Sequence, residues 1–182
     1  RLVNRNVLHG GSDFVASLDE LTALCPALER AALVVAWFAD DLRAGSARCR
    51  PGVETAERDE TERWSAGGVG REGARVVSRV DGGPAYGGTP SDAGVCRAIA
   101  ALRRKGLKVT LYPFLLMDVP PGNGLPDPYG GVEQAAFPWR GRMTLDVAET
   151  LSGSSDGTAA ARAEIARFVG RARGSDFTLD GD

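Results

Sequence analysis

The sequence predicts an α/β fold built on a parallel sheet, open or closed into a barrel. Three observations point there. Two apolar, β-branched runs, Ala31–Phe38 and Leu107–Met117, have the length and composition of strands covered on both faces. The clearest helix closes at Gly106 and leads straight into the second run, which is half of a βαβ unit. Long irregular segments follow the strand ends, where parallel α/β proteins carry their binding loops. The chain has 182 residues. Roughly three to four βα units fit that length, whereas a whole (β/α)8 barrel typically needs about 250 residues.

The elements follow in order. Ser17 stands three before Glu20, a capping-box spacing, and Leu18, Leu21 and Leu24 form an apolar stripe that Pro26 stops. The first strand, Ala31–Phe38, ends abruptly at Asp40-Asp41. Between 43 and 90, Arg, Gly, Glu and Pro dominate. Glu54–Arg63 reads as a solvated charge run and Arg75–Val80 as a short strand, while Gly82-Gly83-Pro84 and Gly87-Gly88 mark turns. Thr89 is a good N-cap, Pro90 suits the first helical position, and Asp92 favours the positive helix end. Val95, Ala98, Ile99 and Leu102 make the apolar face of this helix, and Arg103-Arg104-Lys105 load its C-terminal end.

Pro113 conflicts with a central strand because it has no ladder donor, so regular pairing is expected to finish near Tyr112, with Pro113–Asp118 leading out. Residues 118–142 form a long loop without periodicity, a kind that is commonly functional. A last helix is expected from near Asp156 to about Arg173, with Ala161, Ile165, Phe168, Val169 and Ala172 inward and Gly174 closing it. Asp176–Leu179 reads as the opening of another strand.

Composition narrows the function. With 22 Lys+Arg against 24 Asp+Glu the net charge is −2, so there is no basic field for nucleic acid. No apolar run is long enough to span a bilayer, and no secretory signal is visible. The first residues, Arg1-Leu2-Val3-Asn4-Arg5, predict a chain that begins inside a longer reading frame. Cys25, Cys49 and Cys96 are an odd count without CxxC spacing, and read as buried or incidental thiols rather than a disulfide frame or zinc site. His9 is the single histidine, which removes Ser-His-Asp and Cys-His catalysis and any multi-His metal site. No metal and no cofactor is predicted. Gly68-Val69-Gly70-Arg71-Glu72-Gly73 matches GxGxxG, but neither a convincing strand before it nor a helix after it is present, so a dinucleotide site is not supported.

Asp40, Asp41 and Asp118 directly follow the two best strands, the face on which parallel α/β proteins bind ligands; the competing reading is that Asp is a good turn and cap residue. Trp37, Tyr129, Phe137 and Trp139 are candidates for a sugar-stacking platform, with core packing favoured for Trp37 and loop anchoring an equal alternative for Trp139. Hydrolysis would need two carboxylates facing one another across a glycosidic bond.

Several runs resemble the TIM-barrel-like domain of gene transfer agent and phage-tail proteins. They are Leu33–Arg43, Arg50–Glu54, Pro84–Ala93, Gly106–Phe114, Gly122–Tyr129, Pro138–Arg142 and Ser155–Ala160, and the resemblance covers roughly 13–178. It implies an incomplete (β/α)8 barrel, with residues 1–12 the tail of a preceding segment and 13–182 the N-terminal part of a barrel domain truncated at its C-terminus. It also implies a baseplate or host-specificity subunit of the megatron type, made in the bacterial cytoplasm and placed in the tail of a phage-like particle. Its partners would be other tail subunits and cell-surface polysaccharide, with no nucleic acid and no membrane span.

Within that reading, Asp40, Asp41, Asp118, Tyr129 and Trp139 are the substrate-binding candidates, and no catalytic residue is identifiable. The alternative is an active glycoside hydrolase whose carboxylates lie beyond Asp182. A third reading is an unrelated α/β enzyme acting on a small molecule.

Overall fold

The computed structural model describes residues 5–138 and 142–176. In chain order its elements are α1 (Asp13–Leu24), β1 (Arg30–Ala39), β2 (Cys49–Arg50), β3 (Gly52–Val53), β4 (Ser65–Ala66), β5 (Val69–Gly70), β6 (Arg75–Val76), β7 (Arg79–Val80), β8 (Gly83–Pro84), α2 (Asp92–Arg104), β9 (Lys108–Met117) and α3 (Ala159–Val169). One three-stranded sheet has the order β2-β1-β9, and three two-stranded sheets pair β3 with β6, β4 with β5, and β7 with β8.

The expected partial (β/α)8 barrel is therefore corrected. Among the described residues there are three α-helices and several small, mixed sheets, and none closes into a barrel. The physical reason lies in the two long inter-strand stretches. Residues 43–90 offer no apolar run that could make a core strand, and they form two-residue strands instead. After Met117 no further strand of a sheet follows among the described residues.

The β1–β9 pairing shows how sequence and register fit together. Lys108 N–H donates to Glu29 C=O at 2.9 Å and Asp118 N–H to Ala39 C=O at 2.8 Å. The two bonds share one sequence offset, as parallel strands require. Along β9 the even-numbered N–H groups thus point to β1, and Pro113 points away from it. Because β9 is an edge strand, the missing N–H of Pro113 breaks no ladder bond, and the strand runs through to Met117 rather than stopping near Tyr112. The expectation of cover on both faces is also corrected. Val34 is 47% and Tyr112 46% exposed, and only the C-terminal ends of the strands (Phe38, Ala39, Met117) are buried.

The chain divides into two compact units, Arg1–Trp37 with Arg50–Leu115, and Phe38–Cys49 with Leu116–Asp182. In the first, Leu18 of α1 packs with Ala101, Leu102 and Leu107, joined by Leu28, Ala31 and Val109. Helix α1 starts earlier than the capping-box reading placed it: Ser12 Oγ caps Val15 N–H, and Asp13 takes the N–H groups of Asn6 and Val7. The cap of α2 is Ser91, which accepts from Gly94 N–H at 3.1 Å, and not Thr89. Thr89 is buried and ties strands instead, donating to Ala36 C=O (2.7 Å) and accepting from Gly52 N–H (2.9 Å).

Gly67 and Gly68, at φ +57° and +78°, are the two-residue turn joining β4 and β5. Gly67 also lies against Trp37, whose ring a Cβ there would meet at 2.8 Å. The glycines of the GxGxxG match thus begin in a hairpin turn.

In the second unit Ala44 N–H donates to Thr144 C=O and Thr144 N–H to Leu42 C=O, a short parallel bridge. Helix α3, capped by the Thr158 hydroxyl, is shorter than the Asp156–Arg173 reading. Its buried Glu164 accepts from Asp146 N–H (2.8 Å) and Ser155 hydroxyl (2.9 Å), pinning the preceding loop to the helix. The strand expected at Asp176–Leu179 lies almost wholly outside the described residues, and Asp176 itself ends a short 3-10 turn.

Candidate functional site

The second unit holds the strand-end aspartates and the irregular loop that follows β9. The loop is stitched by its own polar side chains. Glu133 accepts from the N–H groups of Gly122 (3.0 Å) and Gly124 (2.9 Å), and Asp127 from those of Tyr129 (3.2 Å) and Gly131 (2.9 Å). Asn123 donates to Pro120 C=O and Gln134 C=O. Backbone bonds from Gln134 to Leu125 and from Phe137 to Val119 close it. Such bonds give an aperiodic segment one conformation because its backbone groups have no ladder of their own.

Gln134 joins this loop to the end of β1. Its side chain is 1% exposed, and its Oε1 accepts from Leu42 N–H at 2.8 Å. Its Nε2 donates to Asp41 Oδ1 (2.7 Å) and Pro126 C=O (3.0 Å). One donor faces the oxygen and two acceptors face the nitrogen, so the amide has a single consistent orientation. Asp41, 5% exposed, also takes a forked pair from Arg43: Nε to Oδ1 at 3.0 Å and a terminal nitrogen to Oδ2 at 2.7 Å. Arg43 N–H adds a bond at 2.8 Å. Burial alone would push the Asp41 carboxyl up, but the bonds from Arg43 and Gln134 outweigh it and hold the group below its ordinary value.

The other candidates are placed as follows. Asp40 Oδ1 accepts from Arg48 N–H at 2.9 Å, and its charge joins burial in pushing the nearby Cys49 thiol up. Asp118 is fully buried at the start of the loop. Tyr129 is half-buried; its hydroxyl donates to Arg142 C=O at 2.6 Å, and the Arg142 guanidinium lies 4.3 Å from its ring centre. Trp139 lies outside the described residues. Phe137 is half-buried with φ +45°, a left-handed conformation that costs an aromatic residue about 1–3 kcal/mol and is commonest at functional loops. Trp37 belongs to the first unit, against Gly67.

The structure thus connects Asp41 with the loop, through a residue that sequence reasoning passed over. Gln134 has no local signal, since its partners Leu42 and Asp41 are 92 and 93 positions away. Arg43, two residues from Asp41, did carry one. The three cysteines are free of disulfides and exposed as residues, which fits incidental rather than buried thiols, although the Cys49 sulfur itself is partly screened from solvent. No protein-family model matches this chain, and no curated protein matches it.

Proposed function

We propose that this chain is part of a tail-tip, host-specificity protein of a phage-like particle, and that its loop-bearing unit binds envelope saccharide without cutting it. The tail assignment rests on the sequence runs at Gly106–Phe114, Gly122–Tyr129 and Ser155–Ala160. The observation that carries binding at this unit is the state of Asp41, which does not suit it to be a hydrolytic carboxylate; hydrolysis would need carboxylates elsewhere. A glycosidase carboxylate needs an oxygen free to reach the glycosidic oxygen or the anomeric carbon. Asp41 is buried, and both of its oxygens are held by Arg43 and Gln134.

A loop with fixed backbone, carrying Tyr129 and Phe137, suits recognition because little conformational freedom remains to be lost on binding. The partners in this reading are other tail subunits and a surface polysaccharide. No helix among the described residues is long and apolar enough to cross a membrane.

Two measurements test the reading together. Antibody raised to the 118–138 loop should label the tail tips of particles released by the producing cells. The same particles, incubated with that host's purified envelope polysaccharide, should retain it without releasing new reducing ends. Unlabelled particles would overturn the tail assignment, and release of new reducing ends would overturn the binding reading in favour of hydrolysis, by Asp41 if an Asp41→Asn change abolishes it and by other carboxylates if it does not.

A further inference from the structure

The first unit contains a concave basic site that none of the preceding argument uses. Two adjoining chambers of about 370 and 280 Å³ share Arg58, Trp64, Arg71, Ser91 and Arg97 in their walls. Together they are lined by five guanidinium groups and three carboxylates, and with Arg63 paired to Glu72 a small local surplus of positive charge remains on a chain whose net charge is −2.

The arginines differ in how far they are already matched. Arg97 pairs with Glu62 at 2.8 Å, and Arg71 pairs with Glu60 and donates to Thr55 C=O. Arg71 Nε is buried with no hydrogen-bond partner, the one such side-chain atom among the described residues. Arg58, exposed, makes no hydrogen bond among the described residues and only shares with Arg71 the attraction of the Glu60 carboxylate. A guanidinium without a hydrogen bond of its own, in a cleft with more guanidinium groups than carboxylates, favours an incoming oxyanion, since guanidinium groups recognise carboxylate and phosphate by forked bonds. The first turn of α2, through Ser91 and Gly94, adds the positive end of a helix to the second chamber.

Trp64 supplies the flat apolar wall. Its indole N–H donates to Thr89 C=O at 3.0 Å, and the Arg71 guanidinium sits 5.5 Å from the ring centre, so the ring is held still while lining both chambers. A rigid indole beside a cationic surplus matches a ligand with an apolar ring face and an acidic substituent.

We propose that this cleft binds an acidic sugar, its carboxylate or phosphate group held by Arg58 and Arg71 and its ring packed beside Trp64. All of its lining residues belong to the first unit, and the proposal does not depend on the tail assignment.

Isothermal titration of the chain with glucuronate and glucose 6-phosphate, and with glucose and inorganic phosphate as controls, tests it. At least one acidic sugar should bind, with affinity falling as salt is raised. Glucose and inorganic phosphate should each bind at least about tenfold more weakly than that sugar. Arg58→Gln, a change at an exposed side chain, should weaken binding at least about fivefold with the melting temperature unchanged. The two acidic sugars separate a carboxylate site from a phosphate site. Absence of binding by both sugars, glucose binding as tightly as they do, inorganic phosphate doing so, or an Arg58→Gln variant with unaltered affinity would each overturn the proposal.

Discussion

Replacing Gln134 with Leu keeps the side chain's bulk and removes all of its polar contacts. Three bonds are lost: from Leu42 N–H at 2.8 Å, to Asp41 at 2.7 Å and to Pro126 C=O at 3.0 Å. The costs are unequal. Leu42 is 1% exposed, so its N–H is left buried and unpaired, which costs about 1–3 kcal/mol. Asp41 loses a bond to a charged group worth about 1.5–3 kcal/mol, although Arg43 still holds both oxygens. The Pro126 carbonyl, with lone pairs to spare, adds at most about 1 kcal/mol. The sum is about 2–5 kcal/mol, since the fork from Arg43 absorbs part of the Asp41 loss. For a chain of this size that is a fall in melting temperature of roughly 4–20 °C. Thermal and urea unfolding measure the total, and hydrogen exchange at the Leu42 amide reads the local effect. A loss under about 1 kcal/mol with Leu42 still protected would refute the claim that this amide holds the loop to the end of β1.

Three further outcomes follow from the same structure. The folded Asp41 carboxyl lies below its ordinary value, so its stabilisation is complete above about pH 5 and is lost as the pH falls through the folded value. Acid titration of stability should therefore be flatter between about pH 5 and pH 2 in Asp41→Asn than in the parent, and equal slopes would contradict the assignment. Gly67→Ala should destabilise by about 1–3 kcal/mol and by more than Gly68→Ala, because both need positive φ but only Gly67 would drive a Cβ into Trp37; equal melting shifts would sink the packing argument. Burial, then the Asp40 charge, push the Cys49 thiol up, so with Cys25 and Cys96 changed to Ser its alkylation should be half-maximal above the free-cysteine value of about 8.5. Asp40→Asn should lower that midpoint, and an unmoved midpoint would remove the carboxylate from the account.

The second long strand and the helix before it were legible because their signals are local. Leu107–Met117 is mostly apolar, and Pro90, Asp92 and Gly106 bracket α2 within a residue or two. The helix caps were less legible. Several hydroxyl residues stand near each helix start, and which one caps depends on where the others are needed: Thr89 bridges Ala36 and Gly52, leaving Ser91 to cap. Pro113 looked like a strand end because a proline's cost depends on its neighbour. At odd parity on an edge strand it faces no partner.

The candidate site shows the same division more sharply. That Asp40, Asp41 and Asp118 sit at strand ends could be read from their positions in the chain. What Asp41 does could not, because it depends on Gln134, a residue 93 positions away in a loop without periodicity. The number of βα units failed for a related reason. Composition says that a segment is polar or apolar, but not with whom it pairs, and of residues 43–90 only the two-residue strand Cys49–Arg50 joins the long sheet, while the other short strands pair among themselves.

By itself, then, the sequence determined the two long strands, the α2–Gly106–β9 joint and the net charge, all of which depend on neighbouring residues or on counting. Only the tertiary structure decided the small mixed sheets in place of a barrel, the burial of Asp41 beneath Arg43 and Gln134, and the gathering of Arg58, Trp64, Arg71 and Arg97 around one cleft. Those depend on contacts between distant residues, whose free energy arises only once the chain has closed the loops between them.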